Sequence, residues 1–469
     1  MPALMLQGCT SWAGKSLLTT ALCRWFARQG MKVAPFKAQN MSNNARVVDG
    51  GEIGVAQWLQ AGAAGVDPDV RMNPVLVKPE SGGSQVIRLG RYDAELSRRA
   101  WPDRSERLWP VVESALAELL ASHDLVIIEG AGSPAEINLL DNDIVNMRIA
   151  ARAQAPVLLT VDIDRGGAFA HLYGTWSLVP RQHRDLIRGF ILNRFRGDAA
   201  LLPPGPEQLE RLTGVRTIGV VPMIAHDLPD EDGAALHAPR RGGRPPVAIV
   251  RYPSASNLDE FALLEQVADV HWASDPWHVA GAAMVVLPGS KHVAADLAWL
   301  RSTGLAAAVR AAAGSGARVL GICGGLQLLG ERLLDPYGVD GSGDGLALLP
   351  LTTTFRPAKV VRRRSVVLPV DWPEQWGALS GHDVEGYEIR HGHTVVDGPV
   401  DVAVEDALIV ARGNVAGWYL HGLLEDAHLL EALFGARPSR TLDETFDLLA
   451  DTVDAHLDTA YLRYLTGIA

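Results

Sequence analysis

The sequence predicts an α/β protein made of two doubly wound α/β domains, and three observations predict it. Short apolar runs alternate with helix-length stretches through the first half of the chain, the rhythm breaks at Gly233–Pro246, and it then resumes. Alternation of this kind is the mark of βαβ units and a parallel sheet.

In order, Ala3–Leu6, Lys32–Pro35, Leu125–Ile128, Pro156–Val161, Gly189–Leu192 and Thr217–Val221 are expected strands of a first domain, residues 1–232. The run Arg240-Arg241-Gly242-Gly243-Arg244-Pro245-Pro246 buries little and propagates neither helix nor strand, so 233–246 reads as a linker. A second domain, 247–469, begins with the runs Val247–Val250, Met284–Leu287 and Val319–Ile322, separated by helix-length stretches such as Asn257–Ala268 and Asp296–Ala313. After Ala347–Phe355 come β-like segments to about Tyr419, and the apolar spacing of Asp443–Leu465 predicts a closing C-terminal helix.

The 469 residues, 48% of them hydrophobic, can build sizeable cores, and a formal charge of −11 argues against a general nucleic-acid binder. An anionic ligand must therefore be held by local cations or backbone amides. Cys9, Cys23 and Cys323 form neither a disulfide framework nor a C-x-x-C pair, which points to a reducing, cytoplasmic setting. No apolar run approaches the ~18 residues that span a bilayer. The N-terminus Met1–Gly8 lacks the basic start of a signal peptide, so a soluble, uncleaved chain without membrane partners is expected.

Gly8-Cys9-Thr10-Ser11-Trp12-Ala13-Gly14-Lys15-Ser16 lies between an apolar strand and a helix on which Leu18, Leu22, Trp25 and Phe26 share a face. Backbone amides in such a loop cradle phosphates, with Gly8, Thr10 and Gly14 shaping it, Lys15 reaching the β/γ oxygens of ATP and the Ser16 hydroxyl on Mg²⁺. The hard cation needs further carboxylates. Glu129, at the end of Leu125–Ile128, and Asp49, beside Gly50-Gly51, are the candidates; the plainer reading of Asp49 is an Asp-Gly turn.

In the second domain Gly321-Ile322-Cys323-Gly324-Gly325 joins a strand directly to a helix. Flanking glycines let the chain turn sharply enough to expose a nucleophilic thiol, and the helix terminus favours its thiolate. Of the 14 histidines, His421 is the expected partner, because it ends the apolar run Val415–Leu420 and precedes Gly422. Gly289 of Pro288-Gly289-Ser290 and Gly324 are the expected oxyanion-hole amides.

The G-x5-G-K-S loop resembles the dethiobiotin synthetase-like branch of P-loop proteins, and the cysteine elbow with its distant histidine resembles the triad-type class I glutamine amidotransferases. Both together, in this order, resemble the cobyric acid synthase (CobQ) family. The stretches that carry the likeness span almost the whole chain: Ala34–Met41, Met72–Pro79, Ile128–Leu139, Val161–Gly167, Asn193–Asp198, Pro288–Lys291 and Gly386–Ile389.

The resemblance implies ATP-dependent amidation of four side-chain carboxylates, b, d, e and g, of adenosylcobyrinic acid a,c-diamide through acyl phosphates, with glutamine as nitrogen donor. The partners implied are small molecules, with no permanently bound cofactor, and the candidate substrate cations are Lys37 and Arg165. The nearest rivals are a cobyrinic acid a,c-diamide synthase and a partner-binding P-loop ATPase with a decayed amidotransferase domain. The intact Cys323 and His421 argue against decay.

Three departures stand out. Many class I amidotransferases carry a glutamate two residues after the histidine, where this chain has Leu423, so a dyad or a remotely supplied third group is expected. Cys9 stands where threonine is expected, and Arg390-His391 where the family often has His-Met. His391 and His393 read as surface histidines, since no third ligand completes a metal site.

Overall fold

A computed structural model of the chain describes residues 2–80, 83–226, 228–229 and 243–468. They divide into two compact units, Met1–Ser42 with Gly51–His226 and Thr441–Ala469, and Asn43–Gly50 with Asp227–Arg440.

The first unit is organised around a six-stranded sheet in the order Thr217–Pro222, Ile187–Phe195, Val157–Asp162, Ala3–Gly8, Leu125–Glu129, Val33–Phe36. Every neighbouring pair is parallel. The strands read as unbroken apolar runs because both faces are covered: Leu4, Met5, Leu6, Ile127, Ile128 and Leu158 are all fully buried. All six expected strands are present, and the carboxyl ends of Ala3–Gly8 and Leu125–Glu129 lie side by side, with Leu6 opposite Glu129. A smaller sheet joins Gln39–Met41, Val75–Glu80, Gly83–Arg88 and Arg91–Tyr92.

The chain's last stretch corrects the expected boundary of the second domain. Instead of one helix over 443–465 there are two, Leu442–His456 and Thr459–Thr466. Thr441 and Glu444 form a reciprocal capping box at the first, and Asp458 caps the second through the Tyr461 amide. Both belong to the first unit. Arg24 and Arg28 of the helix Lys15–Arg28 pair with Asp447 and Asp451 at 2.8 and 2.7 Å, and the buried Trp25 indole donates to Asp454 at 2.6 Å.

The second unit holds a seven-stranded sheet in the order Asp269–Ala273, Pro246–Val250, Met284–Leu287, Arg318–Ile322, Val415–Trp418, Ile409–Arg412, Val402–Val404. The first four pairings are parallel and the last two antiparallel. The expected helix over 296–313 is split into Val293–Ser302 and Leu305–Gly314, with Gly304 left-handed at φ 80° between them. Asn257–Ala268 is likewise no single helix: a 3₁₀ turn, Leu258–Phe261, precedes the short helix Leu264–Val267. A long antiparallel hairpin pairs Leu351–Val367 with Asp383–Val396. Residues 233–242 of the expected linker lie outside the described residues, and Pro246 already opens a strand.

Candidate active sites

In the first unit the glycine loop leaves the strand Ala3–Gly8 and enters the helix Lys15–Arg28 through Gly14, which is left-handed at φ 89°. A Cβ there would meet the Asn193 amide nitrogen at 2.0 Å, so both backbone shape and space demand glycine. The Asn193 amide donates to the Ala13 carbonyl at 2.9 Å, tying the loop to the strand Ile187–Phe195. Lys15 Nζ reaches across the loop to the carbonyls of Thr10 and Gly132, each at 3.1 Å. A cation and a helix N-terminus thus converge beside Gly8, the arrangement that takes a polyphosphate. Cys9 is a bystander: burial pushes its thiol up to about 12 against smaller opposing effects of Thr175 and Lys15.

Glu129 is fully buried and surrounded by donors. Its Oε1 accepts from Ser16 Oγ at 2.8 Å and from Lys37 Nζ at 2.9 Å, and its Oε2 from the Gln60 amide at 2.6 Å. Ser16 and Glu129 therefore present two adjacent hard oxygens. Among the described residues no three His, Cys, Asp or Glu side chains converge on a cation position. Two protein oxygens with the rest from phosphates and water is a donor set that suits Mg²⁺.

The other sequence candidates fare differently. Lys37 is buried and paired with Glu129, so its charge serves that carboxylate. Asp49 is exposed, with φ 49°, in the turn between Ala45–Val48 and Gly51–Gly54, and it groups with the second unit. Its Asp-Gly pair takes the left-handed turn between these two strands, the plainer of the two expectations for it. Arg165 lies in a 3₁₀ turn after Val157–Asp162, over half exposed, its Nε 3.2 Å from Asp162 Oδ2, which Arg194 shares at 3.3 Å. It stands at the carboxyl edge of the sheet but outside the Lys37–Glu129 cluster.

In the second unit Cys323 has φ 51° and ψ −104°, a strained backbone at the joint between Arg318–Ile322 and the helix Gly324–Leu329. Such strain persists only where the surroundings enforce it. Here a Cβ on Gly325 would come within 1.8 Å of the Leu287 carbonyl, and one on Gly324 within 2.6 Å of the Ser290 amide, so the elbow is wedged against the end of Met284–Leu287. The thiol lies 3.5 Å from the Ile389 carbonyl.

His421 is brought to it. Its backbone exchanges hydrogen bonds with Tyr387, 2.9 Å from its amide and 3.1 Å to its carbonyl, and the Tyr387 ring stacks on the imidazole at 5.4 Å. Gly289 is there too, since a Cβ on it would stand 2.9 Å from His421 Cε1. Cys323, His421, Gly289 and Gly324 therefore lie together in one candidate site.

One functional side chain escapes the sequence reading. Glu260, fully buried in the turn Leu258–Phe261, places Oε1 2.9 Å from His421 Nδ1, while its Oε2 accepts the Gly422 amide at 2.9 Å. Burial opposes charge on His421, but the Glu260 carboxylate and then Cys323, which also hydrogen-bonds the ring, hold its pKa up to about 10. Leu423, two residues after the histidine, is buried in the apolar core. The signal for Glu260 was an Asp259-Glu260 pair set between Leu258 and Phe261, two acids inside an apolar run.

Arg390 and its neighbours are tied into their own hairpin and the adjoining sheet. Arg390 Nε binds Glu388 at 2.6 Å, as does Arg362, and the guanidinium lies over Tyr419 at 4.1 Å. His391 Nδ1 meets the Arg356 carbonyl at 3.1 Å, and burial followed by the nearby Arg390 lowers the His393 pKa.

The comparisons with known proteins agree with this geometry. Residues 4–230 match the CobQ/CobB/MinD/ParA nucleotide binding domain, and residues 246–428 the CobB/CobQ-like glutamine amidotransferase domain. The chain is 56% identical to the cobyric acid synthase of Variovorax paradoxus strain S110, covering 98% of each chain. It is 53% identical to that of Polaromonas sp. strain JS666, over 99% of this chain and 98% of the relative, and 56% identical to that of Paracidovorax citrulli, over 98% and 97%. A nucleotide-binding unit with a phosphate loop and an amidotransferase unit with a Cys–His site, matched end to end at this identity, place the chain in the cobyric acid synthase family, as an enzyme: a glutamine-dependent, amide-forming ligase.

Proposed function

We propose that this enzyme amidates the b, d, e and g carboxylates of adenosylcobyrinic acid a,c-diamide, using ATP and glutamine, to give adenosylcobyric acid. The observation that carries the reading is the pairing, in one chain, of a phosphate loop whose Ser16 meets a buried carboxylate with a Cys323–His421–Glu260 array.

In the amidotransferase unit the Cys323 thiolate attacks the carboxamide carbon of glutamine. The carbonyl oxygen gains negative charge, facing the amides of Gly289 and Gly324. His421, protonated and oriented by Glu260, gives its proton to the departing nitrogen, so the C–N bond breaks, ammonia leaves and a glutamyl thioester remains. Water then attacks the thioester with His421 taking its proton, and glutamate is released as the thiolate re-forms.

In the nucleotide-binding unit the amides of the Gly8–Gly14 loop and Lys15 hold the ATP phosphates, and Ser16 with Glu129 would hold Mg²⁺, which when bound neutralises phosphate charge. The γ-phosphoryl group passes to a substrate carboxylate, giving an acyl phosphate and ADP. Ammonia attacks the activated carbonyl and phosphate departs with its electron pair. Arg165, exposed at the carboxyl edge of the sheet, is available to a substrate carboxylate, whereas Lys37 acts by fixing Glu129.

The test is mass spectrometry of the corrin product formed with ATP and glutamine. Four successive acid-to-amide steps support the reading. Conversion confined to the a and c positions of a less amidated substrate would instead identify a cobyrinic acid a,c-diamide synthase, and absence of ammonia release from glutamine would defeat both.

A further inference from the structure

Residues Asn43–Gly50 lie in sequence between Gln39–Met41 and Gly51–Gly54, both part of the nucleotide-binding unit, yet they are packed into the amidotransferase unit. At their centre is Arg46, 3% exposed. Its guanidinium makes close ion pairs with both Asp259 and Glu425, including a 3.0 Å bond from Nη1 to Glu425 Oε2. Burying a guanidinium is costly unless it is paired, and here two carboxylates pair it.

These contacts converge on the support of His421. Asp259 is the neighbour of Glu260 in the turn Leu258–Phe261. The same turn is held by the loop's backbone and amides: Asn44 Oδ1 accepts the Leu258 amide at 3.2 Å, and Asn257, left-handed at φ 56°, donates its side-chain amide to the Ala45 carbonyl at 3.0 Å. Asn257 also donates to the Tyr387 hydroxyl at 2.8 Å, and Arg46 lies 5.4 Å from the Tyr387 ring that stacks on His421. Lys291, two residues after Gly289, donates to Asn43 Oδ1 at 2.5 Å.

We propose that Arg46 is a positioning residue of the glutaminase: by clamping Asp259 to Glu425 it fixes the turn from which Glu260 orients His421. The assignment rests on the glutaminase reading above. The group acts at a distance from the reacting atoms, so its loss misplaces the base without removing it. A charge is also at stake. Without Arg46, the carboxylates Asp259, Glu260 and Glu425 share one small region beside His421.

The experiment uses the full chain with Arg46→Met and Arg46→Lys, measuring ammonia release from glutamine and, separately, amidation supplied with free ammonia. Arg46→Met is expected to lower glutaminase kcat by about 10²-fold, the scale of a misplaced catalytic group. Its glutamine KM should stay within about threefold, because substrate contacts are retained. Arg46→Lys, which keeps the charge but not the two-carboxylate fork, should recover part of the loss. Ammonia-supported amidation should stay near the wild-type rate in both. If Arg46→Met does not fold, Arg46→Lys alone must still show a fall in kcat at unchanged KM.

Wild-type glutaminase activity in either folded variant, or a parallel loss of ammonia-supported amidation, would overturn the assignment of Arg46 alone. A wild-type chain that releases no ammonia from glutamine would overturn the glutaminase reading and Arg46 with it.

Discussion

Replacing Glu260 by glutamine is the sharpest perturbation of the amidotransferase site, because it preserves shape and removes only charge and one acceptor. In the wild type both carboxylate oxygens accept: Oε1 from the His421 ring and Oε2 from the Gly422 amide, each at 2.9 Å. A glutamine side chain has one acceptor and one donor. With its oxygen toward His421, its NH₂ faces the Gly422 N–H, donor against donor. With its oxygen toward Gly422, its NH₂ faces Nδ1, and the imidazole is forced into the tautomer with the proton on the nitrogen that should receive one from Cys323.

Either orientation also removes the main attraction that holds the His421 pKa at about 10 rather than the usual 6.5, a preference for imidazolium of roughly 5 kcal/mol in which Cys323 has the smaller share. A wrong tautomer in a comparable array costs ~10⁴-fold, so Glu260→Gln should lower glutaminase kcat by roughly 10³-fold, with ammonia-supported amidation unchanged.

The pH profile carries a second signature. In the wild type the proton that the departing ammonia needs is kept up to about pH 10, and in Glu260→Gln the alkaline limb should move toward neutrality. Stopped assays of ammonia release across pH 6 to 10.5, with intact-fold controls by circular dichroism, read both effects. Turnover within about fivefold of wild type, together with an unmoved alkaline limb, would refute the role given to Glu260.

Cys323→Ala should abolish glutamine-supported amidation and leave ammonia-supported amidation intact, checked by corrin mass spectrometry with each nitrogen source in turn. Lys15→Ala removes the cation anchored on Thr10 and Gly132 and should suppress amidation from either source by roughly 10²–10⁴-fold. Asp454→Ala strands the buried Trp25 indole N–H and should destabilise the nucleotide-binding unit by about 1–3 kcal/mol, read by thermal denaturation. Because folding raises the His421 pKa from 6.5 to about 10, the folded protein binds more protons in that window. The contribution of His421 to stability is therefore full below pH 6.5 and lost as pH rises through about 10, and denaturant titrations of wild type and Glu260→Gln should converge at the alkaline end.

The sequence alone determined what depends on neighbouring residues. The run from Gly8 to Ser16, Glu129 at the end of an apolar strand, the glycine-flanked Cys323 and the strand-end His421 are local patterns, and each needs only a strand, a sharp turn and a helix start to take its place. The parallel sheets follow from unbroken apolar runs in the same way. Tertiary structure decided what depends on complementarity between distant segments. Glu260 stands 161 positions from His421, and Arg46 is 213 positions from Asp259, separations over which charge and hydrogen-bond matching leave no periodicity to read. Asp49 reads as a metal ligand or a turn residue by its neighbours alone, and only the folded backbone, with its positive φ, shows the turn. The helix Leu442–His456 has an amphipathic pattern that would suit either unit. Its acidic face chose the first, where Arg24, Arg28 and Trp25 offered partners that the second half of the chain gave no reason to expect.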